Sequence, residues 1–226
     1  MDIQALKQIL QENGIVGAGG AGFPTYAKLD QRAEVILMNC AECEPLLKLH
    51  RQLLEQRAKE ILQTFDVIAQ TVGAKEAVIG IKKEYKAALK AIDRYIDFYP
   101  RMRVQLLDSA YPMGDEVVLI YEATGRVIRP GGLPIEEGVA VFNVETVYNV
   151  YRALELGTPV VDKLVTVVGE VERPVTVRVP IGAAISSVVA YGGEITAKNP
   201  AFLIGGPMMG NLQEGTAPVT KTTNAI

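Results

Sequence analysis

One histidine and two cysteines are all that this 226-residue chain brings to the commoner kinds of nucleophilic and metal chemistry. The histidine, His50, falls in the charged start of a helix, and no Gly-x-Ser-x-Gly elbow occurs, so a Ser/His or Cys/His catalytic machine finds little support. His50 is expected to be a surface or helix-face residue. Cys40 and Cys43 have Cys-x-x-Cys spacing, but an iron–sulfur cluster or structural zinc needs about four ligands. They are read as ordinary buried or loop cysteines in preference to a redox dithiol. Long apolar runs are also missing: none approaches the roughly eighteen residues of a membrane span, and Met1-Asp2-Ile3-Gln4 is not the start of a signal peptide. The expectation is a cytoplasmic protein without direct membrane insertion. Nor is there an excess of basic charge. Lys and Arg number 23 against 26 Asp and Glu, which argues against a nucleic-acid surface.

What the chain has in abundance near its start is glycine. In Gly17-Ala18-Gly19-Gly20-Ala21-Gly22-Phe23-Pro24-Thr25, four glycines in six residues remove the Cβ atoms that would hold a ligand away from the peptide N–H groups. The reading is an anion nest facing a nucleotide-like cofactor, and Phe23-Pro24 is too bulky and stiff for a plain linker. Gly17-x-Gly19-x-x-Gly22 also satisfies the dinucleotide fingerprint, with Glu42 at the acidic position, but that fingerprint needs a preceding strand. Here Ile3 to Leu10 has helical spacing and stops at Asn13-Gly14, so the Rossmann reading is rejected.

Beyond the loop, the 49% hydrophobic composition supports a full core. Strand-like runs (Val35–Asn39, Ala77–Ile81, Arg103–Leu107, Val139–Phe142) alternate with helical periodicities, predicting a three-layer α/β sandwich with a parallel sheet over 1–158. Pro45 is expected to open the first long helix. Composition changes at Thr158-Pro159. Short β-rich runs with one helix over 184–191 then predict a small β-grasp domain over 159–212. Residues 213–226 read as a polar linker with no compact element of its own.

Three loops leave strand ends with polar residues: Asn39 with Glu42 and Glu44, then Gly114-Asp115-Glu116, then Asn143 with Thr146. Carboxylates suit sugar or ribityl hydroxyls, amides suit a heterocycle edge, and the glycine loop with Lys28 suits a phosphate. A divalent metal is the rival use of the carboxylates and ranks lower, because dense acidic spacing is lacking.

The glycine loop with Lys28, the run Asn39-Cys40-Ala41-Glu42-Cys43-Glu44-Pro45-Leu46-Leu47, and Gly131-Gly132-Leu133-Pro134 together resemble the C subunit of the Rnf ion-translocating electron-transport complex. They equally resemble the cobalamin reductase of propanediol-utilisation microcompartments and, more distantly, the NADH-oxidising flavoprotein subunit of respiratory complex I. The resemblance implies FMN as cofactor, NADH as substrate, and single electrons passed to an iron–sulfur carrier or other subunits of an electron-transfer complex. Carried over by motif, Gly17, Gly19, Gly20, Gly22 and Lys28 would contact FMN, with Asn39, Asn143 and Thr146 completing its pocket. Glu42, Glu44, Gly114, Asp115 and Glu116 would line the flavin and NADH space, and Phe23 would lie near the nicotinamide nucleotide. The part after Pro159 is similar to a soluble-ligand-binding β-grasp domain. The complex I pattern has arginine, aspartate and asparagine where this chain has Ala18, Ala41 and Phe142. The relatives continue into a cysteine-rich ferredoxin-like part, so the linker would lead toward an iron–sulfur domain outside this chain, on a membrane complex or inside a microcompartment. The alternative is a docking or corrinoid-binding module with a degenerate flavin pocket.

Overall fold

The computed structural model describes all 226 residues, which form two compact units. The first comprises Met1–Gly17, Phe23–Cys43 and His50–Pro159; the second comprises Ala18–Gly22, Glu44–Leu49 and Val160–Ile226.

The first unit is built on four parallel strands, β1 (Val35–Asn39), β2 (Glu76–Lys82), β3 (Met102–Leu107) and β4 (Val139–Asn143), in the order β3-β2-β1-β4. Val35, Ile36, Leu37 and Met38 are all buried, so neither face of β1 meets water. A parallel sheet needs that double cover because its crossovers pass over its faces. α2 (Leu49–Val72) and α3 (Lys86–Asp93) connect β1 to β2 and β2 to β3, stepping in one direction; α4 (Glu116–Thr124) steps back from β3 to β4. Right-handed crossovers of opposite step lie on opposite faces, which gives the three layers. On the α4 face, Val35, Leu37, Val78, Val139 and Val141 pack with Leu119, Ile120 and Ala123. Two further helices, α1 (Ile3–Glu12) and α5 (Val144–Leu156), precede β1 and follow β4.

The second unit has antiparallel β5 (Asp162–Val167) and β6 (Val175–Pro180), then α6 (Ile185–Val189), then the hairpin of β7 (Phe202–Ile204) and β8 (Asn211–Gln213). Val165, Val167, Val179, Ile185, Val188, Val219 and Ile226 form its core. Two sequence expectations need correction. The tail is not without structure: Thr166 donates to Asn224 O at 2.9 Å and accepts from the Ile226 amide at 2.9 Å, so the last residues run beside β5. The free edge of β5 and the apolar Val219, Ala225 and Ile226 outweigh the polar composition between them. Pro45 also does not open α2. Leu46 has φ 68°, the helix begins at Leu49, and within the second unit Leu47 and Leu49 pack with Ala225 and Leu164.

Candidate functional site

The glycine loop begins where α1 ends, at Asn13 and Gly14. Val16 bridges Pro24, Gly17 N–H donates to Phe23 O at 2.8 Å, and Thr25 N–H donates to Ile15 O at 3.1 Å. This two-stranded neck carries the loop Ala18 to Gly22, in which Ala18 is buried and Gly19, Gly20 and Ala21 are exposed. Gly20 has φ 106°, and no atom lies within 4 Å of where its Cβ would be. Only glycine adopts that conformation without strain, and the space beside it is open. Gly19 and Gly20 are exposed; a Cβ on Gly22 would meet Thr222 Cγ2 at 3.1 Å within the second unit. A 3₁₀ turn over Thr25–Lys28 follows, where a Rossmann motif would have an α-helix.

That turn aims Lys28 at the sheet. Its Nζ donates to Val141 O at 2.8 Å, pairs with Glu116 at 3.3 Å, and lies 5.9 Å from the centre of the half-exposed Phe23 ring. An ammonium has three donors, so two contacts leave one for a ligand.

Asn39 and Asn143 end β1 and β4 at the same level of the register. Each side chain closes the turn that follows: Ala41 N–H donates to Asn39 Oδ1 at 3.0 Å, and Glu145 N–H donates to Asn143 Oδ1 at 2.8 Å. Asn39 Nδ2 also donates to Gly114 O at 2.8 Å, drawing in the loop before α4. Gly114 has a packing reason to be glycine. A Cβ there would lie 2.0 Å from Ala41 O, and its N–H donates to Cys43 Sγ at 3.0 Å. Asp115 caps α4, accepting from Val117 and Val118 at 3.0 and 3.2 Å.

Four positions of the first unit, Lys28, Glu116, Asn39 and Gly114, are thus linked at the carboxyl ends of the strands. Thr146 is buried in the first turn of α5. Glu44 belongs to the second unit, where its carboxylate accepts from the amides of Met208 and Met209 at 2.9 and 2.7 Å.

Glu42 faces inward, and with it comes a correction. His50 is not a surface residue; it is 6% exposed. Its Nδ1 lies 3.3 Å from Glu42 Oε2 and its Nε2 lies 3.6 Å from Glu145 Oε2. The second distance is too long for a hydrogen bond, so Nε2 has charge facing it without a bond. Burial, the largest influence, pulls the imidazole down, but the two carboxylates together outweigh it and hold it above its ordinary 6.5. Lys82 Nζ donates to Glu42 O at 2.7 Å, and Arg51 lies 4.9 Å from the centre of the Tyr85 ring. Burial pushes the Tyr85 phenol up to about 12. Sequence reasoning missed His50, Glu145 and Lys82. A signal existed for His50, which stands three and four residues before the buried Leu53 and Leu54, and so lies on the same helix face.

A parallel three-layer domain with a bare glycine loop before β1, joined to a small antiparallel unit, defines a class that the comparisons identify. Residues 10–152 match the Nuo51 FMN-binding domain and residues 164–212 match the SLBB domain; the chain belongs to the Nuo51 FMN-binding family. It is 43% identical over 222 residues to the cobalamin reductase PduS of Salmonella typhimurium, covering 98% of this chain and 49% of that protein. It is 34% identical over 232 residues to one component of the Na(+)-translocating ferredoxin:NAD(+) oxidoreductase complex of Acetobacterium woodii, covering 100% of this chain and 52% of that protein. Among solved structures, an air-oxidised NAD+-reducing [NiFe]-hydrogenase contains a chain that superposes with TM-score 0.80 at 26% identity, covering 97% of this chain and 44% of that one. The chain therefore spans about half the length of the curated relatives it matches.

Proposed function

We propose that this chain is the FMN-holding part of an oxidoreductase that oxidises NADH and passes electrons singly to iron–sulfur carriers or partner subunits. Each unit carries donors of a kind that FMN uses: in the second, the amides of Gly19, Gly20 and Gly22 suit a phosphate; in the first, Lys28 has a donor to spare, and the Asn39 and Asn143 turns with Glu116 offer polar edges to a ring and its ribityl chain. When bound, FMN would supply the two-electron to one-electron conversion, and the protein would supply position and electrostatics. Gly17 holds the neck of the loop. Gly114 and Asp115 shape the adjoining turn, and Thr146, buried in the first turn of α5, follows the Asn143 turn. Phe23, 52% exposed, offers a face on which a nicotinamide nucleotide could stack. On this reading, Glu42 and Glu44 act through the loop they share. The domain arrangement we favour is a flavin domain over 1–158 and a soluble-ligand-binding domain over 159–212, with the protein peripheral on a larger complex or inside a microcompartment. No helix is long and apolar enough to cross a membrane.

The observation that carries the reading is the open space beside Gly20 in its left-handed conformation. Purified chain mixed with FMN should retain flavin absorbance after desalting, and NADH should bleach it. Gly20→Val should lose the flavin with the fold intact, whereas Gly157→Ala, at another left-handed glycine with open space, should keep it. Retention of stoichiometric FMN by Gly20→Val would contradict the assignment. Flavin bound without bleaching would point to a carrier reduced by another donor.

A further inference from the structure

The flavin reading leaves the chain's only histidine, which is buried, without a role. We propose that His50, held as an imidazolium, is the positioning residue of the flavin site, bridging Glu42 and Glu145 and so tying together the loops that leave β1 and β4. What those loops hold rests on the FMN reading; the bridge itself does not.

The geometry carries the argument. The Glu42 and Glu145 side chains are 15% and 4% exposed, and the imidazole between them is 7% exposed. Carboxylates on both sides of a ring favour its protonated form. A protonated ring offers an N–H in each direction, whereas a neutral ring offers only one. Other charged groups share this region: Lys82 donates to the Glu42 carbonyl, Arg51 lies over the Tyr85 ring, and the buried Arg152 stands on α5 with Glu145. Both ends of the bridge are coupled to the proposed site. Glu145 N–H is held by Asn143, Glu42 stands three residues after Asn39, and the two asparagines face each other across β1 and β4.

Because the folded ring binds its proton more tightly than a free imidazole, its stabilisation is complete below pH 6.5 and is lost as pH rises through the folded pKa. Above that point two carboxylates repel across a neutral ring, and both loops loosen.

The first measurement is a ¹⁵N NMR pH titration of the native apo chain, in which a single histidine makes assignment unambiguous; the ring should stay doubly protonated to a higher pH than in the unfolded chain. A midpoint at or below that of the unfolded chain overturns the proposal. The second is FMN affinity from pH 6 to 9. Native chain should weaken about tenfold across this range, while His50→Gln should be about tenfold weaker already at pH 6, with a flat profile. The double variant His50→Gln with Glu145→Gln, which removes the repulsion, should recover most of the loss; a residue that only fills space would give no such rescue. A His50→Gln variant with the native profile overturns the proposal. If native chain binds no FMN at any pH, the flavin reading and the positioning role fall together, while the ring's protonation and the decline of native Tm above pH 6.5 still decide the bridge.

Discussion

Room for a single methyl group governs how the loop before α4 seats at Gly114. Its φ is unremarkable, yet the Ala41 carbonyl sits where a Cβ would be, held there by the two bonds of Asn39. Gly114→Ala should therefore cost about 3 kcal/mol in urea unfolding, at the upper end of overpacking costs, since backbone rather than a flexible side chain must move. Gly125→Ala, left-handed but with nothing within 4 Å, is the control and should cost about 1 kcal/mol. Equal losses at both positions would refute the packing argument. The thiols make a second case. Burial pushes Cys40 far up and also raises Cys43, whose sulfur accepts the Gly114 amide. The thiolate is the reactive form, so in native protein at pH 7.5 iodoacetamide should modify Cys43 slowly and Cys40 only after unfolding. Rapid double labelling, read by intact mass, would contradict this.

Elements bring these residues to their places. Asp115 provides the strand-to-helix punctuation at α4, and its carboxylate satisfies two amides that the first turn cannot. Asp115→Ala should destabilise the first unit by about 1 kcal/mol, read as a shift in urea midpoint without a change of slope. The pair between Lys28 and Glu116 is partly exposed, so its loss should scarcely affect stability while still altering any ligand phase. The first turn of α2 places His50 against Glu42, and the helix starts at Leu49 and not at the proline, because Leu46 between them is left-handed.

At the scale of the whole molecule, the chain returns to the second unit twice before Val160, through Ala18–Gly22 and Glu44–Leu49. That unit also depends on its last residues. Deleting residues 223–226 removes two backbone bonds to Thr166 and the buried Ile226, and should make β5 and β6 exchange amide hydrogens faster, with the first-unit sheet unchanged. Unaltered exchange in β5 would mean that the tail contributes nothing to the ladder.

Much of this was legible from residue order. The alternation of apolar runs and helical periodicities located every strand of the parallel sheet, because period and length are local properties. The bareness of the loop around Gly20 was equally readable, since it follows from missing Cβ atoms. Glu42 and Glu44, two residues apart, could not be separated that way. Only the folded chain sends one carboxylate to an imidazole and the other to the amides of Met208 and Met209. The sequence by itself determined the architecture and the bend that could receive a phosphate. Tertiary structure alone decided that His50 is buried between two acids and that the tail completes a ladder. Both depend on which distant segments meet, and the partners that outweigh a residue's own polarity come from those segments.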